Sequence, residues 1–272
     1  MLAEAEQFRE ESQDLYELLK KVQPARFAEP TLFKGWTVND ILAHLHYFNY
    51  MAELSLNHED RFVREYAVLR EARDKGETIR QATDRLLNHL HGAALLEAWH
   101  DFFPKLAAEF GKSDPKKRVK WGGPDMSVRS SATARLMETW SHAQAIYDLF
   151  GVRRQNKDRI KGIAVLGINT FRWTFINRGL PIPGEPPRVR LTAPSGEIWE
   201  WNEASSTGLV EGPAEEFCQV VTQTRNLKDT QLKVSGPVAV AWMEIAQCFA
   251  GKPEDPPAPG ARRMSAAAAA RA

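Results

Sequence analysis

GWTVNDILAHL, residues 35–45, reads as the start of an amphipathic helix with one histidine on its apolar face. Thr37 suits the N-cap. Asp40 falls three residues later, in the first turn, where an acid complements free N–H groups and the helix dipole. A helix turns about 100° per residue, so positions three, four and seven apart share a face. Val38, Ile41, Leu42, Leu45 and Phe48 form one apolar stripe, and His44 projects between Ile41 and Phe48. His46 projects to nearly the opposite side. The inward histidine of the string HLHY is therefore His44.

A second stretch, RLMETWSH at residues 135–142, belongs to a helix expected from about Ser131 to Phe150 and ended by Gly151. Leu136, Met137, Trp140, Ala143, Ile146 and Tyr147 make it apolar on most sides. Glu138 and His142 are i,i+4 neighbours on the remaining strip. Ser131, Ala134, Ala145 and Leu149 share that strip, and such mostly small side chains leave room for an ion. His44, Glu138 and His142 make a three-ligand donor set for a divalent metal, with zinc the expected ion. Three protein ligands leave a position free, as catalysis requires. The bland alternative is a hydrogen-bonded core histidine and an ordinary Glu-x-x-x-His surface pair, and spacing alone leaves both open. His89, His91 and His100 are further donors by type. His58, His89 and His91 sit in polar stretches that read as solvated faces.

These residues resemble a known family. Gly35-Trp36-Thr37 followed by Ile41-Leu42-Ala43-His44-Leu45 is similar to the opening metal-ligand helix of the DinB-like superfamily. Within it, the mycothiol-dependent maleylpyruvate isomerase family is the nearest group, and Glu138-Thr-Trp140-Ser-His142 resembles its second ligand motif. A little-characterised metal-binding subgroup matches further strings: WGGPDMS at 121–127, TARLMETW at 133–140, FCQVVTQ at 217–223 and WMEIAQ at 242–247. The resemblance spans about residues 5–251. It implies an N-terminal DinB-like four-helix bundle, a C-terminal sterol-carrier-like α+β domain, and His44, Glu138 and His142 as metal ligands. Relatives tend to carry an Asp three residues after the second His, where this chain has Ala145. Any role of that acid is absent here, and Asp148, on another face, is a poor replacement.

The rest of the chain agrees. Residues 4–22, 60–75 and 77–111 show helical spacing, with Gly76, Gly92 and Pro104 as breaks or kinks. Four main helices, to about residue 155, make the expected metal-binding bundle, since bundles build such sites between facing helices. Residues 156–251 comprise a helix from about Asp158 to Asn177, a Pro-rich linker at 181–187, and an α+β part. There the period changes to two at Val189–Thr192 and Ile198–Trp201. Pro213 and Pro237 suit helix starts. Pockets favour domain junctions, so this second part is expected to wall the metal pocket. The tail, 252–272, is Pro-rich and then Ala/Arg-rich, and reads as disordered.

Composition narrows the function classes. The net charge of +1 gives no bulk pull toward nucleic acid or membrane. The basic run from Lys112 to Lys120 has no interleaved aromatics for base stacking. Cys218 and Cys248 make no disulfide framework and fall in helical runs, as buried small hydrophobes do. No apolar run approaches membrane-spanning length, and the N-terminus lacks a signal-peptide core, so the cytoplasm is expected. The expected partners are a small-molecule substrate and a thiol, with no nucleic acid and no membrane.

A metal-dependent isomerase or transferase follows, with a low-molecular-weight thiol as cosubstrate and a small, unsaturated, anionic electrophile as substrate. Arg225, and less so Arg135, is the candidate clamp for a substrate carboxylate. Arg135 has Glu138 and Thr139 as local partners within its own helix. A metal-hydroxide hydrolase uses the same open position. A non-catalytic metal- or apolar-ligand-binding protein is the reading from another class.

Overall fold

The structure, a computed structural model, describes residues 2–264. The chain divides into two compact units, Met1–Ile146 and Tyr147–Ala272. The fold is α+β, the expected class.

The first unit is helical. Its elements are α1 (Ala3–Leu19), α2 (Val38–Asn57), α3 (Glu59–Asp74), α4 (Ile79–Leu86), α5 (Gly92–Lys112) and α6 (Val128–Phe150), which runs across the unit boundary. A two-residue ladder, β1 (Arg118–Val119) against β2 (Met126–Ser127), precedes α6. Helix α1 packs on α5, and α2 packs on α3, α4 and α5. Thr37 caps α2 as expected, and Asp40 completes a capping box with it. Asp40 N donates to Thr37 Oγ1 at 3.1 Å, and Thr37 N donates to Asp40 Oδ2 at 2.8 Å. Val38, Ile41, Leu42 and Leu45 are fully buried. Phe8 of α1 meets Phe110 of α5 edge-on at 6.4 Å, and each ring buried this way contributes about 1.5–3 kcal/mol. Tyr47, Met51 and Leu54 of α2 join Phe62, Leu69 and Ala72 of α3 and Ala82 of α4 in a second cluster.

Pro104, expected as a break or a kink, does not break its helix. Helix α5 continues through it. Proline removes one N–H and disturbs the preceding turn, but flanking Phe103, Leu106 and Ala107 are buried, so packing outweighs that local cost. Gly76 and Gly92 do fall at helix junctions.

In the second unit, the helix expected over 158–177 is a 3₁₀ turn at Asp158–Ile160 followed by α7 (Lys161–Asn169) and α8 (Phe171–Asn177), which meet at Thr170. A four-stranded sheet follows, in the order β4-β3-β5-β6. Strands β3 (Arg188–Thr192) and β4 (Ile198–Trp201) are an antiparallel hairpin. Strand β5 (Leu209–Pro213) runs parallel to β3, and β6 (Lys233–Ser235) antiparallel to β5. Alternation is visible in burial: Val189 and Leu191 are buried while Arg190 and Thr192 are exposed. Helix α9 (Ala214–Val221) packs on β3, β5 and α7, and α10 (Pro237–Met243) on β6 and α8. Gly236, before α10, has φ 87°, and a Cβ there would lie 2.6 Å from Gly208 Cα, so only glycine fits. Cys218 and Cys248 are free and buried.

The stretch from Lys252, read as disordered, is held over its first part by side chains of this unit. Gln247 Nε2 donates to Lys252 O at 3.1 Å, Gln223 Nε2 to Glu254 O at 2.8 Å, and Asn226 Nδ2 to Pro257 O at 2.7 Å. Gly260 N donates to Asp229, and Arg262 to Gln223 O. A chain without apolar periodicity is held here by polar side chains reaching its backbone. Residues 265–272 lie outside the described residues.

Candidate metal centre

His44 is placed by α2, and Glu138 and His142 by adjacent turns of α6. His44 Nε2 lies 3.1 Å from Glu138 Oε2, and His142 Nε2 lies 3.3 Å from the same oxygen. One donor atom from each residue falls within 4.8 Å of the others, a grouping suited to a metal ion. A tetrahedral zinc at about 2.0–2.2 Å from its ligands sets donor atoms about 3.3–3.6 Å apart. Both histidine–glutamate spacings are close to that value, so the donor set fits such an ion in size and chemistry. Side-chain exposures of 11%, 18% and 12% keep all three reachable from solvent while mostly buried.

Aromatic rings surround the two imidazoles. Trp36 stacks on His142, with planes 6° apart and centroids 5.7 Å apart, and Phe33 meets the same ring edge-on at 5.0 Å. Phe48 lies 4.7 Å and Trp36 5.5 Å from His44. Neither His44 Nδ1 nor His142 Nδ1 meets a hydrogen-bond partner among the described residues.

Residues 8–147, just over half of the chain, match the model of the mycothiol maleylpyruvate isomerase N-terminal domain. The chain belongs to this family. Uncharacterized proteins from two strains of Mycobacterium tuberculosis are 37% identical to it over 245 residues, covering 90% of this chain and 94% of theirs. A crystal structure of the mycothiol-dependent maleylpyruvate isomerase is similar in fold, with TM-score 0.50 and 18% identity over 80% of this chain and 87% of that one. The structure of a histidine-to-alanine mutant of that enzyme matches equally.

Electrostatics in this family member's candidate centre follow from burial. Burial, helped by the neighbouring His142, lowers the His44 pKa to about 4, against the pull of Glu138. His44 is therefore a neutral imidazole at pH 7, the form that coordinates metals. Burial alone would raise Glu138, but hydrogen bonds from His142 and His44 outweigh it and hold the carboxyl well below its usual range. Arg135, 1% exposed, lies one helical turn before Glu138. Burial lowers its pKa to about 10, and the Glu138 charge opposes that shift.

Arg135 does not spend its donors on Glu138 or Thr139, the partners expected from the sequence. Its Nε donates to Asn49 Oδ1 at 2.9 Å and its Nη2 to Leu45 O at 3.4 Å, tying α6 to α2. Local spacing favours helical neighbours, but the buried guanidinium finds better geometry across the helix pair. In the second unit, Arg225 Nη2 pairs with Asp148 Oδ1 at 2.7 Å, and Nη1 donates to Thr224 O. Asp148, set aside from the sequence, is thus the buried partner of Arg225.

The other histidines lie apart from the three donors. His46 sits edge-on to Phe102 at 5.6 Å, and burial lowers it to about 4. His89 and His91 pair with Asp84 at 2.7 and 2.6 Å on the exposed surface, and His100 stacks on Tyr16. Sequence reasoning did not foresee Phe33 and Trp36 as walls of the centre. Trp36 had a signal, its place directly before the N-cap, but Phe33 reaches the site through a turn whose course no periodicity reveals. No helix among the described residues is long and apolar enough to cross a membrane.

Proposed function

We propose that this protein is a metal-dependent isomerase that uses a low-molecular-weight thiol on a small, unsaturated, anionic substrate. The observation that carries the reading is the triangle of His44, Glu138 and His142 in a member of the mycothiol maleylpyruvate isomerase family. Mycothiol and maleylpyruvate, named for the family and for the fold neighbour, are the first thiol and substrate to try. A bound divalent ion, zinc in this reading, supplies positive charge that lowers the pKa of a nearby thiol so that it reacts as thiolate.

The chain's own residues do the rest. His44, Glu138 and His142 would hold the ion, and three protein ligands would leave it a position for a further ligand. Phe33, Trp36 and Phe48 limit water beside them, which strengthens every charge interaction in the centre. Arg135 fixes the distance between the two ligand-bearing helices. In the reaction class proposed, the thiol sulfur bonds to one alkene carbon and the π pair moves into the conjugated carbonyl. Rotation about the former double bond, with the enolate pair returning and the thiolate leaving, then gives the trans isomer.

The test is metal analysis of purified protein, then cis–trans isomerisation of maleylpyruvate followed by ultraviolet absorbance with and without mycothiol. About one equivalent of metal and thiol-dependent turnover are expected. Stoichiometric metal with no turnover under any thiol, cysteine and glutathione included, overturns the enzymatic reading in favour of metal or ligand binding.

A further inference from the structure

Metal-ligating histidines usually donate their second ring N–H to a carboxylate, carbonyl or water, which fixes the ring plane. Here both Nδ1 atoms are buried and meet no carboxylate or carbonyl among the described residues. The imidazole χ2 torsion is soft, so something else must hold the ring. The indole of Trp36 lies parallel to His142, and the Phe33 edge closes on the same imidazole.

The backbone that carries Trp36 is itself pinned. Pro30 and Thr37 form an antiparallel bridge. Thr31 N and Oγ1 both donate to Trp36 O at 2.8 Å, and Trp36 N donates to Phe33 O at 2.9 Å. Lys34 and Gly35 take φ of 53° and 68°, a left-handed pair that turns the chain back. Thr37 then starts α2 through its capping box. The indole is thus placed by hydrogen bonds on both sides of its own Cα, independently of any ligand.

We propose that Trp36 is a positioning residue for the metal centre: its stacked indole fixes the plane of His142 in place of a hydrogen bond to Nδ1. The proposal deepens the metal-dependent reading above and rests on it. An imidazole that donates its lone pair to a cation becomes electron-poor, and an electron-rich indole face then attracts it more strongly. Stacking should therefore favour the metal-bound form. Aromatic pair energies convert to a factor of about ten in affinity at their upper end.

The test uses the full chain as Trp36→Leu and Trp36→Phe. Zinc affinity is measured by competition with a chromophoric chelator, ligand geometry by the visible spectrum of the cobalt(II) form, and folding by thermal unfolding of metal-free protein in EDTA. Expected for Trp36→Leu is zinc affinity weakened about tenfold and a changed cobalt spectrum, with an unfolding midpoint near the parent's. Trp36→Phe, which keeps a stacking face, should recover most of both. If Trp36→Leu proves unfolded, Trp36→Met, with a bulky side chain but no stacking face, carries the same expectation. Zinc affinity within twofold of the parent and an unchanged cobalt spectrum in the folded variant overturn the role of Trp36 while leaving the metal site standing. A parent protein that binds no zinc or cobalt overturns both.

Discussion

Asn49→Ala should destabilise the first unit by about 2–3 kcal/mol, more than the loss of one exposed amide would. Arg135 is buried with 1% exposure and remains charged, because its pKa is lowered only to about 10. Its well-formed hydrogen bond is Nε to Asn49 Oδ1 at 2.9 Å, and the second, to Leu45 O, is long at 3.4 Å. A hydrogen bond to a charged group is worth about 1.5–3 kcal/mol, and stranding a buried charge adds to that. At about 2–4 °C per kcal/mol for a unit of this size, the unfolding midpoint should fall by about 4–12 °C. The assay is urea and thermal unfolding of the full chain, followed by tryptophan fluorescence. A double-mutant cycle with Arg135→Met isolates the pair. Once the charge is gone, Asn49→Ala should cost much less, giving a coupling of about 1.5 kcal/mol or more. Because Asn49 and Arg135 flank His44 and Glu138 on their helices, Asn49→Ala should also weaken zinc binding. An Asn49→Ala cost below about 0.5 kcal/mol, or a coupling near zero, would show that the tie between α2 and α6 is not energetic.

Glu138→Gln keeps the shape of the side chain but removes its charge, so zinc content after dialysis should drop from about one equivalent to near zero, with the far-ultraviolet spectrum intact; retention of a full equivalent means Glu138 is not a ligand. In metal-free protein, stability should fall as pH drops from about 6.5 toward 4. His44 and His46 are held at about 4 when folded but near 6.5 when unfolded, so the unfolded chain binds more protons in that window. Each contributes up to about 2 kcal/mol of loss between pH 7 and 5, and His46→Phe should lose correspondingly less on that step; identical pH profiles for parent and variant contradict it. Arg225→Ala removes the 2.7 Å ion pair to Asp148, so it should destabilise the second unit by about 1.5–3 kcal/mol. If Arg225 also holds a substrate carboxylate, KM should rise with metal content unchanged, whereas an unaltered KM in the folded variant leaves it a structural partner of Asp148.

The sequence by itself determined what depends on neighbours within a helical turn or two. The Thr37 cap with Asp40 in the first turn, the stripe from Val38 to Leu45 and the shared face of Glu138 and His142 are local and periodic, so they were legible in advance. The change to period two after residue 188 likewise announced the strands. The family motif added the expectation that His44 joins the Glu138–His142 pair. Tertiary structure alone decided the meetings of distant residues. His44 reaches Glu138 across 94 positions, Arg135 chooses Asn49 over its own helix, and Trp36 lies parallel to His142. It also made Asp148 the partner of Arg225, carried α5 through Pro104, and held the segment after Lys252 through the side chains of Gln223, Asn226 and Gln247. The physical reason is common to these cases. Propensity and periodicity say which face of an element is apolar, but a buried polar group takes whichever partner the packed helices bring within about 3 Å.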